Sequence, residues 1–488
     1  SIGQSPEISR YWEVYWQVEK LTAYDQSSSD LYGSSISQSG DLLAIGAYND
    51  NADGSSRCGS VYLYRVGANF ERTLLSKIVP FDGIAGDEFG WDLSLDGDIL
   101  AVSARGANDL NGLSSVGAVY LYRIELNGSV TFLEKLYGEG INNRFGHSIS
   151  LSKKYLTVSA DWADLGSATR AGAVYLYKRE SNGSVRLLQK LVAPDGASDE
   201  FYGISIVQSG YLLSVGSVYA VDSQGNKTGA VYIYRIVGEQ VVFLEKLLAS
   251  DRISNQQFGG EVALTQNMLA VGAVGSKYES LDYVGATYLY QIDYNNTVNF
   301  VEKITSPNRS DGDVFGTSIS MAGRLIAISA TGLDYDGSNK AGATYLFRME
   351  ANGSLTLRKT ITAEDHDSDD HFGLAVSLST DKLAIGSQSD SGGNFFAGAV
   401  YLFDLKNEQS AESILSNLNS IGLYTSSDVH SVVLQTQPSS YSSTRNYVTG
   451  DLSTFGSRTY IAKENSIGQS PEISRYWEVY WQVEKLTA

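Results

Sequence analysis

The chain has 488 residues, a net charge of -19, 42% hydrophobic content and a single cysteine, Cys58. The acidic balance excludes nucleic-acid binding, which rests on basic groups neutralising phosphates, and excludes docking on anionic lipid. No run of about 18 apolar residues is present to span a membrane, and one cysteine makes neither a disulfide framework nor a cysteine zinc site. His147, His366, His371 and His430 are the only histidines, too few for a His-rich metal centre.

Residues 1–23, SIGQSPEISRYWEVYWQVEKLTA, return unchanged as residues 466–488. With no initiator Met and no basic-then-apolar leader, the chain is expected to be a mature or excised piece, any secretion signal lying outside it. Residues 1–9 suit a linker, and Trp16 to Leu21 suits a strand.

From Tyr32 a period takes over. An aromatic-Gly pair recurs with its glycine at 33, 90, 146, 203, 259, 316 and 373, and G-A-V-Y-L-Y or a close variant starts at 59, 117, 172, 229, 285, 342 and 398. Two motifs holding one period of about 57 residues across seven turns define an internal repeat. Each period holds four strand-like runs: the aromatic-Gly run, a short aliphatic run such as Ile99 to Ala104, the GAVYLYR run, and a run like Phe132 to Leu136. The third run sets Val119 and Leu121 on one face and Tyr120 and Tyr122 on the other, so it should lie between two sheets. Asn127-Gly128, Asn182-Gly183 and Asn352-Gly353 sit between the third and fourth runs and are expected to form type I′ hairpin turns.

Seven sets of four antiparallel strands, apolar on both faces, predict an all-β fold, a seven-bladed β-propeller. A solenoid is the rival, but it needs distinct caps. The seventh GAVYLF run ends at Phe403 without a fourth strand, and the chain begins with one. The N-terminal strand should therefore complete the seventh blade. The expected domains are a linker at 1–9, a propeller at 10–403, a tail at 404–465, and the repeated segment at 466–488.

At these residues the sequence resembles the FG-GAP repeat family, the propellers of integrin α-chain heads and of many secreted or surface proteins. Phe-Gly stands at 89–90, 145–146, 258–259, 315–316 and 372–373, and Tyr-Gly at 32–33 and 202–203. The resemblance implies an extracellular or cell-surface propeller used for adhesion or assembly, and it implies no catalysis. Integrin-type blades often carry calcium loops of the form D-x-D-x-D-G-x-x-D. Here Asn49-x-Asn51-x-Asp53-Gly54 ends at Arg57, and Asp334-x-Asp336-Gly337 ends at Lys340. Asp365, Asp367 and Asp369 form the densest set and are the candidate calcium ligands, although Asp370 replaces the turn glycine. The bland alternative is that Asp and Asn cap turns, as Asp25, Asp82, Asp195 and Asp251 do after the fourth strand.

N-glycosylation sequons begin at Asn127, Asn182, Asn226, Asn295, Asn308 and Asn352. Asn127, Asn182, Asn295 and Asn352 fall at equivalent hairpin tips. Asn-Gly-Ser is also a good turn without a sugar, an excuse Asn295-Asn296-Thr297 lacks. In the tail, Glu408 to Ile421 has a weak helical pattern and 425–457 is Ser/Thr-rich, either a linker, with O-glycosylation possible, or disordered.

Three functions compete. The first is an extracellular structural protein, its propeller a unit of a fibril or tandem array joined head to tail. The repeated segment would be the joint, with Tyr476, Trp477, Tyr480, Trp481, Val483 and Leu486 as anchors and copies of the chain as partners. Both copies stop at the end of the closing strand, at Ala23 and Ala488, which suggests that this strand passes from one unit to the next. The second is an integrin-like or lectin-like module binding glycans or extracellular proteins through loop aromatics such as Trp91, Trp162, Tyr278 and Phe395-Phe396. The third, a propeller hydrolase, lacks a sialidase box or a G-x-S-x-G elbow, and the expectation is that the chain is not an enzyme.

Overall fold

A computed structural model describes residues 19–67, 70–350, 354–390 and 395–405, together with six short strands between 439 and 479. Contacts divide the chain into a unit spanning Val18–Phe403 and a second unit made of Ser1–Gln17 and Asp404–Ala488.

The first unit is a seven-bladed propeller. Six blades are continuous antiparallel sheets of four sequential strands, at 35–78, 89–137, 149–191, 202–247, 258–304 and 315–361. The seventh takes three strands from Val376–Leu378, Lys382–Ser387 and Ala399–Asp404, and its fourth from Glu19–Leu21. The closing register pairs Glu19 with Leu402, Lys20 with Tyr401 and Leu21 with Val400. Ring closure by the N-terminal strand is thus as the strand inventory predicts.

Burial explains the two-faced third strand. Val61 and Leu63 of the first blade share a core cluster with Tyr120 and Tyr122 of the second, and Val119 and Leu121 share one with Tyr175 and Tyr177 of the third. Val400 and Leu402 of the seventh blade meet Tyr62 and Tyr64 of the first. The aliphatic face of each of these blades therefore packs on the tyrosine face of the next. Burying one such side chain is worth about 1.5–3 kcal/mol, so the core lies in the seams between blades.

The two sequence motifs meet at those seams. Gly117 opens the GA motif with φ +83, and a Cβ there would run into the backbone N and O of Phe145, the aromatic of the following blade. Gly398 abuts Tyr32 in the same way, across the closure. Each aromatic then packs edge-on against the first tyrosine of its own third strand, at 5.2 Å for Phe89 on Tyr120 and 5.3 Å for Phe372 on Tyr401. The inner strands are stitched by serines: Ser37 Oγ accepts from Leu95 N, Ser94 Oγ from Leu151 N and Ser150 Oγ from Gln208 N, each at 2.9 Å.

The hairpin expectation is corrected. Gly128 N donates to Glu125 O at 2.8 Å and Glu125 N to Ser129 O at 2.8 Å, and Gly128 has φ +87 while Asn127 is not left-handed. This is a three-residue loop with one left-handed residue, not a type I′ turn. Asn127 instead caps the loop, accepting from Ser129 N at 3.0 Å. In the fifth blade Asn296 (φ +71) takes the glycine's place. Asn352-Gly353 lies outside the described residues.

In the second unit Leu452–Phe455, Arg458–Ala462 and Trp477–Val479 form an antiparallel ladder, with Ser439–Ser440 alongside in parallel. The expected helix at 408–421 lies outside the described residues.

Candidate functional site at the ring closure

The closing strand is held by a device that most blades repeat. In the first blade Tyr62 Oη donates to Asp25 Oδ1 at 2.6 Å and Lys77 Nζ to Asp25 Oδ2 at 2.7 Å. Asp82 with Tyr120 and Lys135, Glu139 with Tyr175 and Lys190, Asp195 with Tyr232 and Lys246, and Asp251 with Tyr288 and Lys303 follow suit. The tyrosine comes from the third strand, the lysine from the fourth, and the carboxylate from the loop that leaves the preceding blade. The sixth blade departs: Tyr345 pairs with the Ser306 hydroxyl at 3.0 Å.

At the closure the lysine is Lys20. Its Nζ reaches Asp365 Oδ2 at 2.6 Å and Asp390 Oδ2 at 2.7 Å, and Tyr401 Oη lies between the two carboxylates, 2.6 Å from Asp365 Oδ1 and 2.7 Å from Asp390 Oδ2. Burial opposes the Lys20 charge, but hydrogen bonds to Asp365 and Asp390 outweigh it and raise its pKa. Burial likewise opposes ionisation of Asp365, and the hydrogen bonds from Lys20 and Tyr401 overcome it and lower its pKa. Leu21 is buried in the core beside Val400, and Glu19 pairs with Arg72 of the first blade. Three residues thus carry an apolar anchor, a shared ammonium and a bridge to the neighbouring blade.

The calcium candidates have separate surroundings in this geometry. Asp365 belongs to the closing triad. The Asp367 backbone N–H is held by Asp370 Oδ2 at 2.6 Å. Asp369 occupies a left-handed turn (φ +66), with its carboxylate 3.9 Å from Lys340 Nζ. The three do not converge, and among the described residues no group of three or more His, Cys, Asp or Glu could hold a metal ion. Asp370 is a loop cap like Asp30, Asp87 and Asp313, which accept a backbone N–H three residues earlier.

The other candidates are dispersed. Asn127, Asn182, Asn226, Asn295 and Asn308 are all exposed, and Asn352 lies outside the described residues. Of the joint residues in the second copy, Trp477 lies on the strand Trp477–Val479, paired with Arg458–Ala462. Tyr476, Tyr480, Trp481, Val483 and Leu486 lie outside the described residues. The candidate tryptophans, Trp91 on the strand Phe89–Asp96 and Trp162 in a turn, are covered by the chain's own cations: the Arg105 guanidinium sits 3.0 Å from the Trp91 ring centre and that of Arg144 3.4 Å from Trp162. Arg309 lies 4.2 Å from Tyr278, whereas Phe395 stays exposed beside Phe396. Sequence reading missed Lys20, Tyr401 and Asp390. Their signal was the lysine just before the last aliphatic residue of the fourth strand, at 20, 77, 135, 190, 246 and 303, and the loop carboxylate in step with it.

Comparison with known families agrees with this architecture. The FG-GAP repeat model matches residues 15–64, 73–122, 186–234, 242–290, 298–347 and 355–403, more than half of the chain. Each matched stretch runs from the fourth strand of one blade to the third strand of the next, and the first begins ahead of Glu19. No curated protein matches the chain significantly. The chain belongs to the FG-GAP repeat family, as a seven-bladed propeller whose first repeat supplies the strand that closes its last blade.

Proposed function

We propose that this protein is an extracellular structural unit whose propellers are joined head to tail by the repeated terminal segment. An FG-GAP propeller suggests a binding or adhesion-type module, and such repeats occur in extracellular or cell-surface proteins. One observation carries the finer reading. The closing strand Glu19–Leu21 belongs to a segment repeated without change at 466–488, so Glu484, Lys485 and Leu486 carry the same side chains as the strand seated in the seventh blade. A slot that accepts Lys20 and Leu21 has no chemical basis for refusing Lys485 and Leu486 of another copy. Strand addition of this kind supplies main-chain hydrogen bonds, and a head-to-tail contact that does not close gives a fibre.

The test compares three chains by light scattering and electron microscopy: the full chain, one lacking 466–488, and one lacking 1–23. The chain lacking 1–23, with an empty slot and a free strand, should assemble into rows of rings, and the chain lacking 466–488 should remain monomeric. A monomeric chain lacking 1–23 that still binds no added 1–23 peptide would sink the reading.

A second reading, a ligand-binding module without catalysis, is favoured by the cation-aromatic belt over blades two to four. Arg105 on Trp91, Arg144 on Trp162 and Lys227 near Tyr219 set cation–aromatic pairs on three successive blades, with Glu88 paired to Arg105 and Asp161 beside Arg144. Loops on a rigid scaffold commonly carry recognition.

A further inference from the structure

Each blade has a corner where the turn between its first two strands meets its third strand. In blades one and two the corner is an ion pair, Asp41 with Arg65 at 3.1 Å and Asp98 with Arg123 at 3.8 Å. Blade four keeps the arginine: Arg235 pairs in register with Leu212 as Arg65 does with Leu42 and Arg123 with Ile99. Its turn, however, carries Tyr211 where blades one and two carry aspartate. The Arg235 Nε is buried and has no hydrogen-bond partner.

Beside this guanidinium lies a cleft of about 450 Å³ between blades four and five, lined by Tyr211, Arg235, Gln266, Asn267, Asp293 and Tyr294. Its two tyrosines are unusually open, Tyr211 at 52% and Tyr294 at 96% of full exposure. Lys154 lies outside the lining but against Tyr211, its Nζ donating to Tyr211 Oη at 3.3 Å and lying 5.2 Å from the ring centre.

We propose that this cleft binds an acidic saccharide, a hexuronic or sialic acid residue. Arg235 takes the carboxylate on its terminal guanidinium nitrogens, since its Nε, the atom that Asp41 and Asp98 engage in blades one and two, is buried. The open Tyr294 ring suits the C–H face of a pyranose, since tyrosine offers an apolar body with a polar tip, while Tyr211 carries Lys154 over one face. The Gln266 and Asn267 amides and the Asp293 carboxylate suit its hydroxyls. The volume falls in the range of small-molecule sites, about 300–1,000 Å³. Arg235 and Lys154 outweigh Asp293 locally, and charges elsewhere on the acidic surface are screened beyond roughly 8 Å at physiological salt. The cleft is separate from the ring closure and stands or falls without it.

The probes are methyl glucuronide, the neutral methyl glucoside, and acetate, titrated into the full chain by saturation-transfer NMR and tyrosine fluorescence. The protein carries Thr297→Val, so that no glycan on Asn295 overhangs the cleft. Saturable glucuronide binding in the millimolar range is expected, with glucoside and acetate each at least about tenfold weaker. Tyr211→Asp rebuilds the ion pair of blades one and two and should abolish binding. Tyr294→Ala, at a side chain too exposed to matter for folding, should weaken it about tenfold. Arg65→Gln in blade one should leave it unchanged. No glucuronide response, acetate binding as tightly as glucuronide, or full binding by Tyr211→Asp or Tyr294→Ala would each overturn the proposal.

Discussion

Lys20 bears more of the closure than its place in a three-residue strand suggests. Its ammonium serves two carboxylates, of which Asp390 is nearly buried, with a side chain 4% exposed. Lys20→Met should therefore cost about 1–3 kcal/mol in urea unfolding, more than a surface ion pair and less than a fully buried one. Because the Asp365 pKa is lowered, its contribution is present above the unfolded value near 3.9 and is lost as pH falls through the folded one. The difference between Lys20→Met and the parent should accordingly shrink below about pH 4. Glu261 behaves oppositely. It sits on the inner strand of blade five, where other blades carry Ser35, Ser148, Ser205 or Ser318, and burial followed by the Asp92 charge pushes it up to about 8. A raised carboxyl favours the fold while protonated and loses that contribution as pH rises from the unfolded value through the folded one. Glu261→Gln should raise the urea midpoint at pH 8 relative to the parent and leave it nearly unchanged at pH 4. An equal shift at both pH values would refute the charge account.

Among elements, the seam is where a single substitution reaches furthest. Gly117 needs both a left-handed backbone and the absence of a Cβ, because the Phe145 backbone fills that space. Gly97 has φ +63 but open space around its missing Cβ. Gly97→Ala should cost about 1–2 kcal/mol, the left-handed penalty alone, and Gly117→Ala distinctly more in the same urea assay. Equal costs would mean that the seam yields easily. Seven non-glycine residues just before the aromatic-Gly pair, from Leu31 to His371, also hold positive φ between 50 and 59. No composition signal marks them, and Val314, β-branched, is the least expected. The hairpin shows the same limit. Asn-Gly correctly announced a turn, but the choice between a type I′ turn and a three-residue loop depends on how the strands twist and where the bulge falls. Every blade from the first to the sixth has that register shift midway along its third strand, as at Leu121/Tyr122.

For the whole molecule, closure is a matter of which strand fills the seventh blade. Gly398 packing on Tyr32 joins blades seven and one independently of the N-terminal strand. The ring should therefore persist in the chain lacking 1–23, with the fourth strand of blade seven missing and Val400 and Leu402 less covered. That chain should melt below the parent, and the peptide of residues 1–23 should restore the loss in a concentration-dependent way. Restoration by a peptide with Lys20→Met and Leu21→Ala equal to that by the parent peptide would show that the slot reads backbone alone.

The sequence by itself determined the blade count, the four strands per blade and the identity of the closing strand, because a period of two within a period of about 57 residues is written in side-chain order. It also marked the repeated segment. Only the tertiary structure decided what the acidic loops do. Asp365 resembles a cation ligand when read along the chain, since neighbouring carboxylates suggest one site. Folding turns them apart and brings Lys20, 345 residues away in the sequence, onto Asp365. The corner of blade four is similar: Arg235 and Tyr211 are unremarkable in sequence, and the missing carboxylate partner of Arg235 becomes visible only when its corner is set beside those of blades one and two in the fold.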